Sequence, residues 1–424
     1  MIQFLFKGIL RDRHRSLFPI IIVAIGVMLT VLVHSWITGI LGDMINNNAN
    51  FSTGHVKVVT KAYAENMDQA PNDLAMLGVD TLINELKNKY PQMDWVERIR
   101  FGGLLDAPDK NGETRAQGTV IGTAIDFLSG DSSEIRRLNV KDALVRGRLP
   151  EKPGEIMISD DFARKLGTDP GDEVTLLSST MYGSMTMVNY KIAGTVRFGI
   201  AVMDKGAMLM DIRDAQYAFD MNDAAGEVLG YLKSGFYNNR IATEIQSEFN
   251  AAHDTTSDEF APYMLRLRDQ QGLAGMLDMI SSMVGIFIFV FILAMSLVLW
   301  NAGLLGGLRR FGEMGLRLAI GENKGHVYRS LIYESVLIGV IGSIIGTIIG
   351  LGLAWILQTK GISFGSAMQN ATMMLPNTFR AHITAPAFYI GFIPGLFSTV
   401  LGTMLSGIGI YRRQTAQLFK ELEV

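Results

Sequence analysis

The sequence predicts an α-helical membrane protein with four transmembrane helices in a 1+3 arrangement, with a large extracytoplasmic α+β domain between the first and second. Three observations predict it. The 424 residues are 48% hydrophobic and only 19% charged, which does not suit a soluble chain. The apolar excess is gathered into four stretches, each long enough to cross a hydrocarbon core that needs about 20 helical residues. Residues 42–275, in contrast, have globular content and are far too long for a loop. A net charge of −3 argues against an electrostatic nucleic-acid binder. The absence of cysteine excludes disulfides, thiolate zinc sites and cysteine nucleophiles.

In chain order, a cytoplasmic amphipathic segment (1–16) precedes the first span, 17–41, in which His34 is the only titratable side chain. That span exceeds the apolar region of a signal peptide and no small-residue cleavage site follows it, so it reads as an uncleaved anchor. The second span is placed at 276–308, the third at 330–357 and the fourth at 387–411, with Pro386 and Pro394 starting or kinking the last. Lys7, Arg11, Arg13 and Arg15 precede the first span, Arg309, Arg310, Arg317, Lys324 and Arg329 lie between the second and third, and Arg412, Arg413 and Lys420 follow the fourth. The outer loop 358–386 holds only Lys360 and Arg380. The positive-inside rule then puts 309–329, the tail 412–424 and both termini in the cytoplasm. Residues 42–275 fall outside and are acidic, with 24 Lys and Arg against 34 Asp and Glu.

Within this outer segment, alternating or β-branched runs predict strands at 55–60, 119–122, 155–158, 173–177 and 190–194. Helical spacing predicts helices at 79–90, 160–166, 213–219 and 242–252. Asp169-Pro170-Gly171-Asp172 predicts a turn that feeds a strand near Val174.

The segment Arg309–Gly321 is short and amphipathic: Phe311, Met314, Leu318 and Ile320 are apolar, while Arg310, Glu313 and Arg317 place charge at helical spacing. It suits an interfacial helix or a partner's groove, and its composition equally suits a solvated inner loop. Gly342, Gly346 and Gly350 in the third span form one smooth face for close helix packing, a theme repeated by Gly391 and Gly395 in the fourth. Glu334 lies near the inner end of the third span, where it either has a function or snorkels, or pairs with Arg329 or a neighbouring helix. His34 reads as a hydrogen-bonded packing residue and Asp43 and Asp278 as the wet ends of the first two spans. No phosphate-binding glycine loop, H-E-x-x-H or G-x-S-x-G occurs, and His253-Asp254 with Asp258-Glu259 reads as a solvated linker rather than a metal site. Among 24 methionines, Met181, Met185 and Met187 flank Tyr182 at a predicted hairpin tip, an adaptable contact for lipid or a partner protein as well as a packing unit.

These residues, in this order, resemble the MacB/LolC/LolE/FtsX-like permeases of ABC transporters over nearly the whole length. The resemblance is carried by Arg15-Ser16-Leu17 and Ala24-Ile25-Gly26-Val27, by Arg310 to Gly321 followed by Tyr333-Glu334-Ser335 and the glycine ladder, and by Gly147-Arg148-Leu149-Pro150, Gly154-Glu155-Ile156, Leu166-Gly167 and Gly171-Asp172-Glu173-Val174. The tail Arg412-Arg413-Gln414-Thr415-Ala416-Gln417-Leu418 departs from the usual proline-containing family ending. The resemblance implies a bacterial inner-membrane subunit, not catalytic by itself, that pairs with a second permease copy or a sister subunit. A separate dimeric cytoplasmic ABC ATPase would use ATP and Mg, the permease itself binding no cofactor. Arg310, Glu313, Met314, Arg317, Leu318 and Gly321 would couple the two, and movement would be transmitted to a periplasmic domain of two subdomains, the inserted one at about 126–225. The resemblance is greatest to the lipoprotein-releasing branch, in which the Met181–Met187 tip corresponds to a partner-contacting hook and a periplasmic chaperone or adaptor is a further partner. A tripartite peptide or drug exporter and an FtsX-type scaffold that activates a periplasmic enzyme are the alternatives.

Overall fold

The computed structural model describes residues 13–109, 111–130, 132–253, 258–270, 272–308, 310–363 and 378–408. Lys7, Arg11, Arg309, Asp254, Arg412, Arg413, Lys420, the centre of the outer loop and the family-divergent tail lie outside them. The chain divides into two compact units, one holding the spanning helices and the other Gly42–Leu277.

In the membrane unit the first long helix is Arg13–Asn48, the second Leu273–Leu308 and the third Lys324–Lys360. Each is longer than its predicted span. The fourth crossing is irregular: a 3-10 turn at Ala385–Phe388, a π turn at Ile393–Ser398 and an α-helix at Thr399–Gly407. Pro386 and Pro394 each sit at the first or second position of one of these turns, where the missing N–H costs least.

The glycine ladder of the third helix meets the first. A methyl group added at Gly342 would lie 2.7 Å from Val23, one at Gly346 would lie 2.8 Å from Val27 and against the Ala24 carbonyl, and one at Gly350 would lie 3.0 Å from Val31 and the Met28 carbonyl. Val23, Val27 and Val31 thus form a ridge at four-residue spacing that fills a glycine groove of the same spacing. Residue numbers rise together along the seam, so the two helices run parallel, as two odd-numbered spans must. Gly391 and Gly395 of the fourth crossing approach Val27 from another side, beside Thr347 and Ser343. His34 has a packing role, with Nε2 3.4 Å from Thr384 Oγ1. The second helix contributes little to this packing: 6% of its most apolar window is buried, against 39% for the first and third.

The extramembrane unit is built on one mixed sheet. The strands of the unit are β1 (Val56–Thr60), β2 (Met76–Leu77), β3 (Met93–Pro108), β4 (Thr114–Ile125), β5 (Leu144–Gly147) and β6 (Glu155–Ser159), followed by β7 (Glu173–Ser179), β8 (Met185–Val196), β9 (Ala207–Asp211), β10 (Ala224–Ala225), β11 (Glu227–Leu232) and β12 (Pro262–Arg266). The main order is β12-β1-β11-β3-β4-β9-β6-β8-β5, with β7 bridging β3 and β8, while β2 pairs β10 apart. Three strands end on the residue that starts the next helix. The side chains of Thr60, Ser159 and Asp211 accept backbone N–H bonds from Tyr63, Phe162 and Arg213, which fixes the exit of β1, β6 and β9. The predicted turn forms, with Gly171 at φ +106° and β7 starting at Glu173.

β3 is the spine. Its first half pairs β11, and its second half pairs β4 and β7. Within the stretch 126–225, strands β7 and β9 hydrogen-bond to β3 and β4, which precede it. The part made from both ends of the segment is β12-β1-β11 with the first half of β3. One large core holds Val58, Trp95, Ile99, Phe101 and Phe219, and a smaller one holds Phe127, Val140, Val196 and Phe198.

Charge is buried beneath the spine. Lys57 Nζ lies 2.8 Å from Glu227 with both side chains at most 1% exposed, and Arg98 lies 2.6 Å from Glu134 with both at most 2% exposed. Arg137 bridges Glu134 and Asp94 and stacks on Tyr231. His55 is enclosed between Tyr231 and Tyr237, and its Nδ1 accepts the Leu232 N–H at 2.9 Å. Burial, assisted by the charge of Arg137, lowers its pKa from 6.5 to about 4.

A histidine with a folded pKa below its unfolded value binds less proton in the native state, so stability is intact above pH 6.5 and falls as pH drops toward 4. The loss attributable to His55 is about 3 kcal/mol at 1.36 kcal/mol per unit. Glu97 opposes it, since burial and then Asp80 push its carboxyl up to about 7, and its contribution falls as pH rises from 4.5 to 7. Comparing the parent with His55→Gln in thermal melts across pH 4–7 isolates the histidine. The parent is expected to lose about 3 kcal/mol more than the variant, and parallel profiles would refute the assignment.

Candidate functional site

The segment between the second and third spanning helices folds as a helix, Phe311–Ala319, with Glu313 in its first turn and Arg317 in its last, each of the sign the helix dipole favours. It ends at Gly321, whose φ of +100° suits glycine, and the third spanning helix restarts two residues later with Asn323 Oδ1 accepting the Gly325 N–H. The result is a tight helical hairpin. Met314 is 4% exposed and packs, with Leu318, on Val327, Tyr328 and Leu331 of the third helix.

The charges divide in the same way. Arg317 holds Glu322 bidentately at 2.6 and 2.7 Å and reaches Ser330 Oγ at 3.4 Å. Its guanidinium keeps the Glu322 carboxyl below the usual carboxylate range. Of the two partners expected for Glu334, Arg329 or a group from a neighbouring element, the second is found: the turn before the short helix brings Arg310 to the third helix's carboxylate. Of the residues predicted to engage an ATPase, Arg310, Met314, Arg317 and Leu318 are therefore used inside this chain, and Gly321 serves the turn. Glu313 is exposed, beside Leu316 at 51% and Ile320 at 79% exposure. These three recur at 313, 316 and 320, one face of a helix. The sequence reading missed Leu316, although this i, i+3, i+7 spacing was the available signal.

The hairpin β7–β8 has its tip at Thr180–Ser184, closed by a 2.7 Å bond from the Thr180 N–H to the Ser184 carbonyl and by Gly183 at φ +79°. Tyr182, Met185 and Met187 are 65–82% exposed. Met181 is not part of that surface: it is 8% exposed, in the main core, with its N–H on the Phe219 carbonyl.

A membrane chain with one spanning helix, a large sheet-based domain, three more crossings and a short helix between the second and third has the build of a transporter permease. The chain belongs to the MacB/LolC/FtsX-like family of ABC-transporter permeases. The family model of the MacB-like periplasmic core domain matches residues 16–248, and that of the FtsX-like permease C-terminal region matches residues 285–415. Two curated relatives, the lipoprotein-releasing system transmembrane proteins LolC of Xylella fastidiosa strains 9a5c and Temecula1, are each 24% identical over 216 residues, 49% of this chain and 50% of theirs. The chain spans about half the length of the curated relatives it matches. The periplasmic region of MacB from Actinobacillus actinomycetemcomitans matches with a TM-score of 0.36 at 10% identity, over 54% of this chain and 96% of that one.

Proposed function

We propose that this chain is the permease subunit of a bacterial inner-membrane ABC transporter that releases lipoproteins. A separate cytoplasmic ATPase, using ATP and Mg, grips the helix Phe311–Ala319 by the face bearing Glu313, Leu316 and Ile320. Hydrolysis there moves the periplasmic domain, and a second permease copy or a sister subunit completes the assembly. Both termini and the short helix lie in the cytoplasm. The observation that carries the coupling reading is the division of that helix, with Met314, Leu318, Arg310 and Arg317 held to the third spanning helix while two large apolar side chains face outward. Held that way, the helix moves with the third span, as a lever gripped at one end must. The lipoprotein reading is supported by the LolC relatives and by the exposed Tyr182, Met185 and Met187, which offer a hydrophobic tip to a periplasmic chaperone.

The test is Leu316→Glu combined with Ile320→Glu. Co-purification with the ATPase and permease-stimulated hydrolysis are expected to fall at least tenfold, with extraction yield and melting unchanged. Retained stimulation would overturn the grip. Arg317→Glu is a less specific probe because it also breaks the bridge to Glu322. Release of a membrane-anchored lipoprotein from proteoliposomes on adding ATP and Mg tests the cargo separately: stimulated hydrolysis without release would reject lipoproteins and keep the coupling.

A further inference from the structure

Between β11 and the helix Asn239–Ala252 runs the loop Lys233-Ser234-Gly235-Phe236-Tyr237-Asn238. It is held against the last turns of the first long helix. Asn46 Nδ2 donates to the Gly235 carbonyl at 2.8 Å, Asn46 Oδ1 accepts the Tyr237 N–H at 3.4 Å, and a methyl group added at Gly42 would lie 3.5 Å from the Phe236 ring. These contacts set the depth of the loop, because Gly42 directly follows the apolar stretch 17–41 and one helix runs from Arg13 to Asn48. Counted from Leu17 at about 1.5 Å per residue, Gly42 lies about 38 Å along the axis, or about 35 Å along the membrane normal at the average tilt of about 20°. A hydrocarbon core is about 30 Å thick and each headgroup layer adds about 5–7 Å, so Gly42 and the loop beside it stand at headgroup level.

The side chains suit that depth. Lys233 and Arg240 are exposed and, among the described residues, neither pairs with a carboxylate; Phe236 and Tyr237 are half-buried between them. Residues 233–240 carry two positive side chains and no negative one, in a segment where acids outnumber bases 34 to 24. Asp269, whose charge acts on Tyr237, is paired with Arg266 at 2.6 Å. Aromatic rings are enriched at the membrane–water interface, and cations near an anionic surface gain about 1 kcal/mol each. We propose that residues 233–240 dock on anionic phospholipid in the leaflet on the domain's side, with Lys233 and Arg240 on the phosphates and Phe236 and Tyr237 in the interfacial layer. The inference needs only the first span and is independent of the ATPase and the cargo.

The chain has no cysteine, so a single label site can be introduced. The experiment is electron paramagnetic resonance of the full chain in nanodiscs containing phosphatidylglycerol, with a nitroxide on Ser234→Cys or, as control, on Glu113→Cys at the far end of β3, whose near end Met93 pairs with Leu232 beside the loop. The ratio of oxygen accessibility to that of a neutral nickel chelate is expected to be about threefold higher at 234 than at 113. With Lys233→Glu and Arg240→Glu together, or with phosphatidylcholine in place of phosphatidylglycerol, the ratio at 234 is expected to fall about twofold, with melting unchanged. Equal ratios at the two sites would put the loop in water, and a high ratio at 234 indifferent to either change would remove the anionic lipid; each result would overturn the proposal.

Discussion

Gly346→Leu is expected to prevent the membrane unit from closing, with a cost at or above the upper end of the 1–3 kcal/mol range for overpacking. At most core positions an added side chain pushes against another side chain, which can rotate away. At Gly346 the first new atom meets the Ala24 backbone carbonyl as well as Val27, and backbone inside a helix cannot yield alone. The whole first helix must move, and the ladder at Gly342 and Gly350 would open with it. Gly352 supplies the control, since it lies in the same helix with nothing within 4 Å of the position its side chain would take. Gly352→Leu is expected to change stability by less than about 0.5 kcal/mol. Detergent-solubilised yield and thermal melting of the two variants make the comparison, and equal behaviour would remove the ladder from its proposed place in the fold.

The second large effect is expected from Glu227→Ala, which leaves Lys57 charged and alone in the sheet core. Breaking a buried pair from one side costs about 3–5 kcal/mol, whereas replacing both partners by apolar side chains is often neutral or stabilising. Burial already lowers the Lys57 pKa, and Glu227 is what opposes that shift. Without the carboxylate, the lysine must shed its proton or the strand must open. The doubly substituted Lys57→Met, Glu227→Met chain is expected to regain most of the loss in calorimetry. If the single variant matched the double, the pair would be a bystander and Arg100, 4.0 Å from Glu227, would deserve the same test.

How much was legible in the sequence follows from which signals were local. The predicted strands at 55–60, 119–122, 155–158, 173–177 and 190–194 all lie within or overlap observed ones, because each is a β-branched or alternating run. The four predicted helices occur within a few residues of their expected ends. β3 was missed because Asp94, Glu97, Arg98, Arg100 and Asp106 interrupt its apolar pattern. Arg98 is tolerated through Glu134, 36 residues away, and the Phe51 carbonyl, partners that no local reading supplies. β9 was missed because Ala207-Met208-Leu209-Met210 lacks β-branched residues and is a strand only through β4 and β6 on either side. The amphipathic pattern of 309–321 overlaps the observed short helix Phe311–Ala319, yet that pattern alone does not say which apolar face goes inward. Met314 and Leu318 were spent on Val327 and Leu331, leaving Leu316 and Ile320 outside.

The spine's arrangement also sets an order of events during biogenesis. β1 is the first strand to emerge, but it lies between β11 and β12, the last two of the unit to be made. Until they arrive, both edges of a strand destined to be wholly buried stay open, and Lys57 has no carboxylate to meet. Both ladders of β1 therefore join residues at opposite ends of the unit, long-range pairings of the kind whose loop-closure entropy slows folding.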